Sequence, residues 1–220
     1  MIVIALGGLV SAQGGSVRGN VEVVSRFKNN LKNADVVVWL TDANAKGKPA
    51  ASPMARLIQK DKKFTPHVVA VTVGTTIEFP NQDPFFHDVF SIYHGKPFDL
   101  GLYESGSARK VKFSEPGVSY IFCNIHPEMS AVVVALSTPF FATTGLDGSF
   151  RISQVPPGTY NVEFWYEQAS DAELKALSSE IKVAAGENGL GTVTLHATDV
   201  RHDHLNKYGE PYTAEKPAKY

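Results

Sequence analysis

The sequence predicts an all-β protein built of short strands separated by turns. Residues 17–23 alternate valine or glycine with polar side chains, which is the period-two pattern of a half-buried strand. Residues 34–40 form a continuous β-branched run of strand length. Turn residues such as Gly74 and the pair Pro116-Gly117 separate further runs of this kind. This spacing of strands and turns is typical of a β-sandwich.

The other predicted elements follow in order along the chain. Asp147-Gly148 lies between two strand-like runs and predicts a β-hairpin. The capping box at 170–173 predicts one short helix that ends near residue 177. Residues 198–220 are polar, lack an apolar period and predict an extended, solvated tail. Further strands are predicted at 68–73, 76–79, 87–92, 108–113, 119–123, 131–136, 159–166, 180–184 and 191–197.

Composition and charge exclude some classes of partner. The 220 residues carry a formal net charge of −1, with both signs interspersed along the chain. This balance predicts no nucleic-acid partner and no attraction to an anionic membrane. Residues 1–10 are apolar, but a helix needs about 20 such residues to cross a bilayer, so no transmembrane span is predicted.

The N-terminus predicts export, and the single cysteine then needs a role in an exported protein. The apolar run ends at Val10-Ser11-Ala12, which is typical of a signal-peptidase site, so residues 1–12 are interpreted as a signal peptide that lacks the usual leading Lys or Arg. Cys123 is the only cysteine, and an unpaired thiol is unusual outside the cytoplasm. Metal coordination is the simplest role for it. We therefore expect a periplasmic or secreted protein.

One segment combines the residue types of a copper site. Cys123, His126 and Met129 are separated by two residues each, and His87 lies upstream behind a polar loop. Two imidazoles, a thiolate and a weak thioether suit copper rather than zinc or iron, because this set accepts both Cu(I) and Cu(II). Taken singly, each of these side chains is more often core filler or a hydrogen-bonding partner. Their combination in an all-β chain favours one mononuclear copper ion.

Residues 64–136 resemble a cupredoxin of the plastocyanin, pseudoazurin and amicyanin type. The ligand-loop spacing is most similar to that of amicyanin. The other shared motifs are Phe64-Thr65-Pro66, Val73-Gly74-Thr75, Phe79-Pro80-Asn81, Glu115-Pro116-Gly117 and Tyr120-Ile121-Phe122-Cys123. The resemblance implies a Greek-key sandwich that carries type 1 copper and transfers single electrons.

The resemblance also implies a role for each candidate residue. His87, Cys123 and His126 would be the equatorial copper ligands, and Met129 would be the axial ligand. In cupredoxins the second histidine lies near the surface within an apolar rim, where a redox partner docks transiently. The rim residues here would be Pro84, Phe85, Phe86, His126 and Pro127.

One position departs from the cupredoxin pattern. The family commonly has Asn directly after the first ligand histidine, where it ties the two ligand loops together by hydrogen bonds. This chain has Asp88 there, which cannot donate when ionised, while Asn124 follows the cysteine. We hypothesise that donor and acceptor are exchanged, so that the Asn124 amide bonds the Asp88 carboxylate.

A second module resembles the carboxypeptidase regulatory-like domain, a small transthyretin-like β-sandwich. The likeness is carried by residues 148–152 (GSFRI) and 155–160 (VPPGTY). Residues 137–197 alone offer too few strands to cover a sandwich, and the first strands of that family match residues 15–50. We therefore expect a discontinuous domain, 15–50 with 137–197, into which the copper domain 64–136 is inserted.

The remaining histidines carry weaker expectations. His202 and His204 form the only His-x-His pair and could bind a second metal ion, although a solvated tail is the favoured interpretation. A structural or exposed role is expected for His67, His94 and His196.

Three functions fit these features. The first is a type 1 copper protein that carries single electrons between redox partners outside the cytoplasm. The second is an extracytoplasmic copper storage or delivery protein with the same ligands. The third is a β-sandwich carbohydrate-binding or adhesion module with an accessory copper site. No enzyme is expected, because multicopper oxidases and nitrite reductases need several His-x-His pairs.

Overall fold

The chain folds almost entirely into β-strands. A computed structural model describes residues 14–25, 32–42, 50–92, 95–198 and 204–212. Within these ranges the all-β prediction is confirmed, since α1 (Asp171–Leu177) is the one helix among them. The strands are β1 (Gly15–Ser25), β2 (Val37–Thr41), β3 (Ala55–Arg56), β4 (Ile58–Lys60), β5 (Lys63–Thr65), β6 (Val68–Thr72), β7 (Thr75–Pro80), β8 (His87–Ser91), β9 (Phe98–Tyr103), β10 (Ala108–Phe113), β11 (Gly117–Cys123), β12 (Ser130–Leu136), β13 (Phe141–Thr143), β14 (Ser149–Val155), β15 (Gly158–Trp165), β16 (Ser179–Val183) and β17 (Gly186–Ala197).

Strands from the two ends of the chain share sheets and form the flanking unit, which consists of β1, β2, β13 to β17 and α1. One of its sheets has the strand order β14-β1-β17, and the other has the order β13-β2-β15-β16. β1 runs parallel to β17 along its whole length, and β2 runs antiparallel to β15. Ser170 begins α1 as its N-cap, and its hydroxyl accepts from the Glu173 backbone N–H at 3.2 Å. The Glu173 carboxylate of the predicted capping box accepts from the His196 backbone N–H.

An apolar core holds the two sheets of the flanking unit together. Alternation along β1 buries Val17 and Val21 completely while Arg18 between them is exposed. Removal of this apolar surface from water is the main stabilising term. The core consists of Val17, Val21, Val23, Val36, Val38, Leu40, Phe150, Ile152, Val155, Tyr160, Val162, Phe164, Tyr166, Val183, Leu195 and Ala197.

The strands β3 to β12 form the central unit. Its larger sheet has the order β6-β12-β11-β8-β9, its smaller sheet has the order β10-β7-β3, and β4 and β5 form a hairpin. Its core consists of Leu57, Phe64, Val69, Val71, Val73, Ile77, Phe79, Val89, Tyr103, Val111, Phe113, Ile121, Cys123, Met129, Ala131, Val133 and Ala135. β8 and β11 are neighbours in the larger sheet, and this adjacency positions the site described below.

β12 is buried on both faces because it lies between the two units. One face joins the central core, and the other packs against the flanking unit. A strand of this kind needs an unbroken apolar run, and β12 has the sequence SAVVVAL. The contact between the units consists of Val37, Val68, Val132, Val134, Leu136 and Trp165.

The hairpin predicted at Asp147-Gly148 is wrong. β13 pairs with β2 and β14 pairs with β1, so the turn connects the two sheets of the flanking unit. The Gly148 carbonyl accepts from Val21 N–H at 2.9 Å, which fastens the turn to β1. Strands remote in sequence are thus the pairing partners of both strands that flank the turn.

Some predicted features concern the termini and segments that the structure does not describe. The predicted signal peptide at 1–12, His94, His202 and residues 213–220 lie outside the described residues. No described helix has the length and apolar character needed to cross a bilayer. Residues 204–212 differ from the extended, solvated tail that the sequence predicts, because they pack against the central unit through His204 and Tyr212.

Candidate metal centre

Three candidate ligands converge at one end of the central unit. The Cys123 sulfur lies 3.6 Å from Nδ1 of His87 and 3.5 Å from Nδ1 of His126. The three ligand atoms all lie within 4.8 Å of one another, and this is the one such group of metal-binding side chains in the described part of the chain. The donor set fits a metal ion that prefers soft sulfur and imidazole nitrogen.

The local structure explains why these side chains meet. Cys123 is the last residue of β11 and lies opposite Val89 of β8, while His87 is the first residue of β8. Because β8 and β11 are antiparallel, the start of one lies near the end of the other. His126 follows in the loop between β11 and β12.

Two backbone hydrogen bonds close that loop. Met129 N–H donates to the His126 carbonyl at 3.0 Å, and Cys123 N–H donates to the Met129 carbonyl at 3.3 Å. Met129 is fully buried and belongs to the same core cluster as Cys123. The fourth candidate ligand is therefore buried in the core at the end of the same loop that carries His126.

Burial controls the protonation of the three converging groups. Burial raises the pKa of the Cys123 thiol, although nearby backbone N–H groups oppose this effect. Burial also lowers the pKa of His87, and it outweighs the opposing effect of the hydrogen bond that His87 donates to Asp83. The pKa of His126 is lowered by burial and by the neighbouring His87. Neutral imidazoles keep a lone pair for a metal ion, and a bound cation would displace the thiol proton.

Asp83 orients His87 and was missed by the sequence reasoning. Its carboxylate accepts from Nε2 of His87 at 2.9 Å, which leaves Nδ1 facing the thiol. Burial alone would raise the pKa of Asp83, but hydrogen bonds from His87 and from two backbone N–H groups lower it below its usual value. Those N–H groups belong to Asp61 and Lys62, in the turn between β4 and β5. A carboxylate four residues before a candidate histidine ligand was the available signal.

The predicted exchange of donor and acceptor between the two loops is confirmed. Nδ2 of Asn124 donates to Oδ2 of Asp88 at 3.1 Å, and the Asn124 backbone N–H donates to the Asp88 carbonyl at 2.8 Å. The other carboxylate oxygen of Asp88 is buried and has no hydrogen-bond partner among the described residues. The two loops are therefore joined beside both His87 and Cys123.

Aromatic and apolar residues surround His126 at the surface. The Phe85 ring centroid lies 5.4 Å from that of His87 and 5.4 Å from that of His126. His126 is half-buried, Pro84 and Pro127 are exposed, and Phe86 is 41% exposed. The ammonium of Lys62 lies 5.6 Å from the Phe85 ring centroid and adds a positive charge beside these residues.

His67 and His196 lie away from this site. Nε2 of His67 is 2.6 Å from the Glu167 carboxylate and links the central unit to the flanking unit. His196 contacts Glu173 within the flanking unit, where its side chain is 68% exposed. Both contacts agree with structural or exposed roles.

Solved structures similar to the chain include copper proteins. A purple cupredoxin from Nitrosopumilus maritimus is 26% identical, with a TM-score of 0.34, over 37% of this chain and 99% of that one. A Cu-containing nitrite reductase from Thermus scotoductus SA-01 is 24% identical, with a TM-score of 0.37, over 53% of this chain and 28% of that one. A reduced amicyanin variant is 22% identical, with a TM-score of 0.35, over 38% of this chain and 82% of that one. No protein-family model and no curated protein matches the chain, so the functional proposal rests on its own residues and their geometry.

Proposed function

We propose that the protein is a type 1 copper protein that carries single electrons between redox partners outside the cytoplasm. The supporting observation is the convergence of the Cys123 sulfur with Nδ1 of His87 and of His126, at 3.6 and 3.5 Å. One thiolate and two imidazoles form the trigonal set of blue-copper sites. Copper bound there would supply one-electron chemistry by alternating between Cu(I) and Cu(II).

The proposed ligands are equatorial His87, Cys123 and His126 and axial Met129. Full burial of Cys123, His87 and Met129 keeps water away from three of the four positions. Asp83 holds the proton of His87 on Nε2, so the ring presents the same nitrogen in both oxidation states. A site that does not rearrange when the charge changes allows fast electron exchange.

His126 is the proposed port for electrons because it is the ligand that reaches the surface. We place the transient docking site of the redox partner around His126, Pro127, Phe85 and Phe86. Exposed apolar rings suit a brief encounter, since apolar contacts form without a fixed set of hydrogen bonds. The proposed location outside the cytoplasm depends on residues 1–12, which have the pattern of a signal peptide.

We also propose that the flanking unit is a discontinuous regulatory-like domain, formed by 15–50 with 137–197, that hosts the copper domain 64–136. Support comes from the pairing of β1 with β14 and β17 and of β2 with β13 and β15. Proteolytic cleavage near residue 62 should leave the two fragments associated in size-exclusion chromatography. Separation without denaturant would contradict the shared sheets.

Addition of Cu(II) to the purified metal-free protein tests the copper assignment. We expect one copper per chain, an intense visible absorption band and a reversible one-electron wave in voltammetry. Cys123→Ser should lose the band, because the thiolate is responsible for it. The matched control Ala135→Ser adds a hydroxyl to the buried far end of β12 and should keep the band. A wild-type protein that binds copper without colour, or a Cys123→Ser variant that keeps the band, would overturn the proposal.

The same preparation separates a carrier from the alternatives. A carrier keeps its copper through repeated reduction and oxidation, whereas a delivery protein loses Cu(I) to a competing chelator in the reduced state. We expect retention over many cycles and no turnover of nitrite with a chemical electron donor. Sustained nitrite reduction would instead identify an enzyme.

A further inference from the structure

The described C-terminal residues 204–212, here called the C-terminal strap, lie across the loop that carries three of the proposed ligands. The Tyr212 hydroxyl donates to the Cys123 carbonyl at 2.9 Å. The His204 imidazole stacks on Phe122, with ring centroids 3.9 Å apart and planes 21° apart, and its Nε2 donates to the Pro127 carbonyl at 2.9 Å. Tyr212 and His204 also contact each other, since the hydroxyl lies 3.1 Å from Nδ1.

Lys207 ties the C-terminal strap to the hydrogen bond that joins the two ligand loops. Its backbone N–H donates to Oδ1 of Asn124 at 3.1 Å, and its ammonium lies 2.9 Å from Oδ2 of Asp88. The same ammonium lies 3.0 Å from Asp99 on β9, and the Lys207 side chain is only 14% exposed. Burial alone would lower the pKa of Lys207, but the two carboxylates outweigh it and raise the pKa to about 12.

These contacts satisfy hydrogen-bond acceptors of the loop that carries the proposed ligands. The loop offers the carbonyls of Cys123 and Pro127 and the amide oxygen of Asn124, and each accepts one hydrogen bond from the strap. A loop fixed at three points cannot shift without breaking bonds to a segment remote in sequence. The Asp88 carboxylate, next to His87, receives its ion pair from the same segment.

We propose that the C-terminal strap is a positioning element of the copper centre, in which Tyr212 and Lys207 fix the ligand loop and Lys207 neutralises Asp88. This inference rests on the proposed copper function for its electrostatic half only. The loop-fixing half concerns the polypeptide alone and can be measured without metal.

The positive charge of Lys207 predicts the direction in which the reduction potential changes when the lysine is replaced. Asp88 is 5% exposed, so its charge is screened little by water. Without the ammonium, an uncompensated negative charge would remain beside His87 and would stabilise Cu(II) relative to Cu(I). Removal of the lysine charge therefore lowers the reduction potential.

The loop-fixing half is tested by amide hydrogen exchange in the metal-free protein. A chain that stops after residue 203 should exchange the amides of 123–129 about tenfold faster than the full chain. Tyr212→Phe keeps the chain length and should show a smaller increase at the same amides. Exchange within β1 and β17 of the flanking unit is the internal control and should not change.

The electrostatic half is tested by voltammetry of the copper-loaded protein. Lys207→Met should lower the midpoint potential by an amount equal to about a tenfold change in the Cu(II)/Cu(I) ratio, which is about 59 mV for one electron. Lys207→Arg should restore most of the shift, and Lys207→Met combined with Asp88→Asn should return the potential towards the wild-type value. Lys110→Met is the matched control, since this exposed lysine pairs with Glu78 on the smaller sheet.

The outcomes distinguish this inference from the copper proposal. Wild-type protein without a copper-dependent absorption band would end the copper proposal, while the exchange measurement would still decide whether the strap fixes the loop. Unchanged exchange at 123–129 in both the shortened chain and Tyr212→Phe would overturn the loop-fixing role. Equal potentials for Lys207→Met, Lys110→Met and wild type would overturn the role of Lys207.

Discussion

The two units of the protein bury similar apolar cores but different polar groups. Among the described residues, the buried carboxyl groups of Asp83 and Asp88, the imidazole of His87 and the thiol of Cys123 all belong to the central unit. Apart from its aromatic side chains, the flanking unit buries only the hydroxyls of Ser16, Thr138 and Thr144 among the described polar side chains. Burial of an ionisable group costs much more than burial of a hydroxyl unless a partner compensates it. The free-energy cost of burying such groups therefore falls on the central unit, and the groups that cause it lie at the candidate metal centre.

Asp83 and Thr144 are both buried side chains that form hydrogen bonds with backbone groups, but they have different roles. The Thr144 hydroxyl accepts from Val36 N–H at 3.0 Å and donates to the Asn33 carbonyl at 2.6 Å, so it completes the backbone of the flanking unit. Asp83 also accepts from backbone N–H groups, but its third bond holds the His87 ring. A buried polar group therefore stabilises the fold in one unit and orients a candidate ligand in the other.

The largest expected effect tests whether the flanking unit contributes only to the stability of the protein and not to the properties of the proposed copper site. Leu195 is fully buried in β17, and Leu195→Ala should lower the free energy of unfolding by about 2–5 kcal/mol because it leaves a cavity. The visible absorption of the copper-loaded, folded variant should equal that of wild type. Urea denaturation measures the first quantity and a spectrum before unfolding measures the second. A shifted absorption band in the folded variant would show that the flanking unit also affects the proposed copper site.

An intermediate effect is expected at Asp83. Asp83→Asn should weaken copper binding by about 10–100-fold, because an amide no longer matches the three N–H groups that the carboxylate accepts and His87 loses its orientation. Competition with a chelator of known affinity measures the change.

Thr144→Val is the matched control for Asp83→Asn in the flanking unit. It removes one buried polar side chain that bonds backbone groups, and it should lower the free energy of unfolding by about 1–3 kcal/mol without changing copper affinity. Equal losses of copper affinity in the two variants would show that the units are not separated in function.

The smallest expected effect concerns the polar contact between the units. The hydrogen bond to Glu167 raises the pKa of His67 above its usual value of 6.5, although burial opposes this. Because the pKa is raised in the folded state, the added stability is fully present below pH 6.5 and is lost as the pH rises through the raised pKa. His67→Gln should therefore destabilise the protein at mildly acidic pH and have little effect at alkaline pH.

The size of this effect is at most about 1 kcal/mol, since the His67 side chain is 38% exposed and water screens the pair. Thermal unfolding of wild type and His67→Gln across pH measures it. Glu167→Gln should remove the same pH-dependent difference, and the double variant should add nothing further. A difference that grows with pH would contradict the assigned sign.

The site was predicted best where its residues are close in sequence or lie on paired strands. His126 follows Cys123 within a single loop, so a short spacing was enough to bring them together. The Asn124–Asp88 bond was predicted because each residue follows a proposed ligand, and it is present at 3.1 Å. Asp83 was missed because its role depends on contacts with His87 and with the turn at Asp61 and Lys62, and only its spacing from His87 is visible in the sequence.

In the fold, too, local elements were predicted correctly, whereas the pairing of the strands beside the Asp147-Gly148 turn was not. Alternation and β-branched runs predicted the strands, and the capping box predicted α1. The turn at Asp147-Gly148 favoured a hairpin, but β1 and β2 pair with the strands on either side of it. Pairing partners are chosen by the burial of whole sheets, and a turn dipeptide contributes only a small part of that free energy.

The sequence by itself determined the all-β class, the chemical types of the candidate ligands and the loop that holds three of them. These features depend on periodicity and on spacing over a few residues, which the covalent chain fixes directly. Only the tertiary structure decided that β12 is buried on both faces and that Tyr212 reaches the carbonyl of Cys123, 89 residues away. Such contacts depend on the packing of complete sheets, because they join residues that are far apart in the sequence.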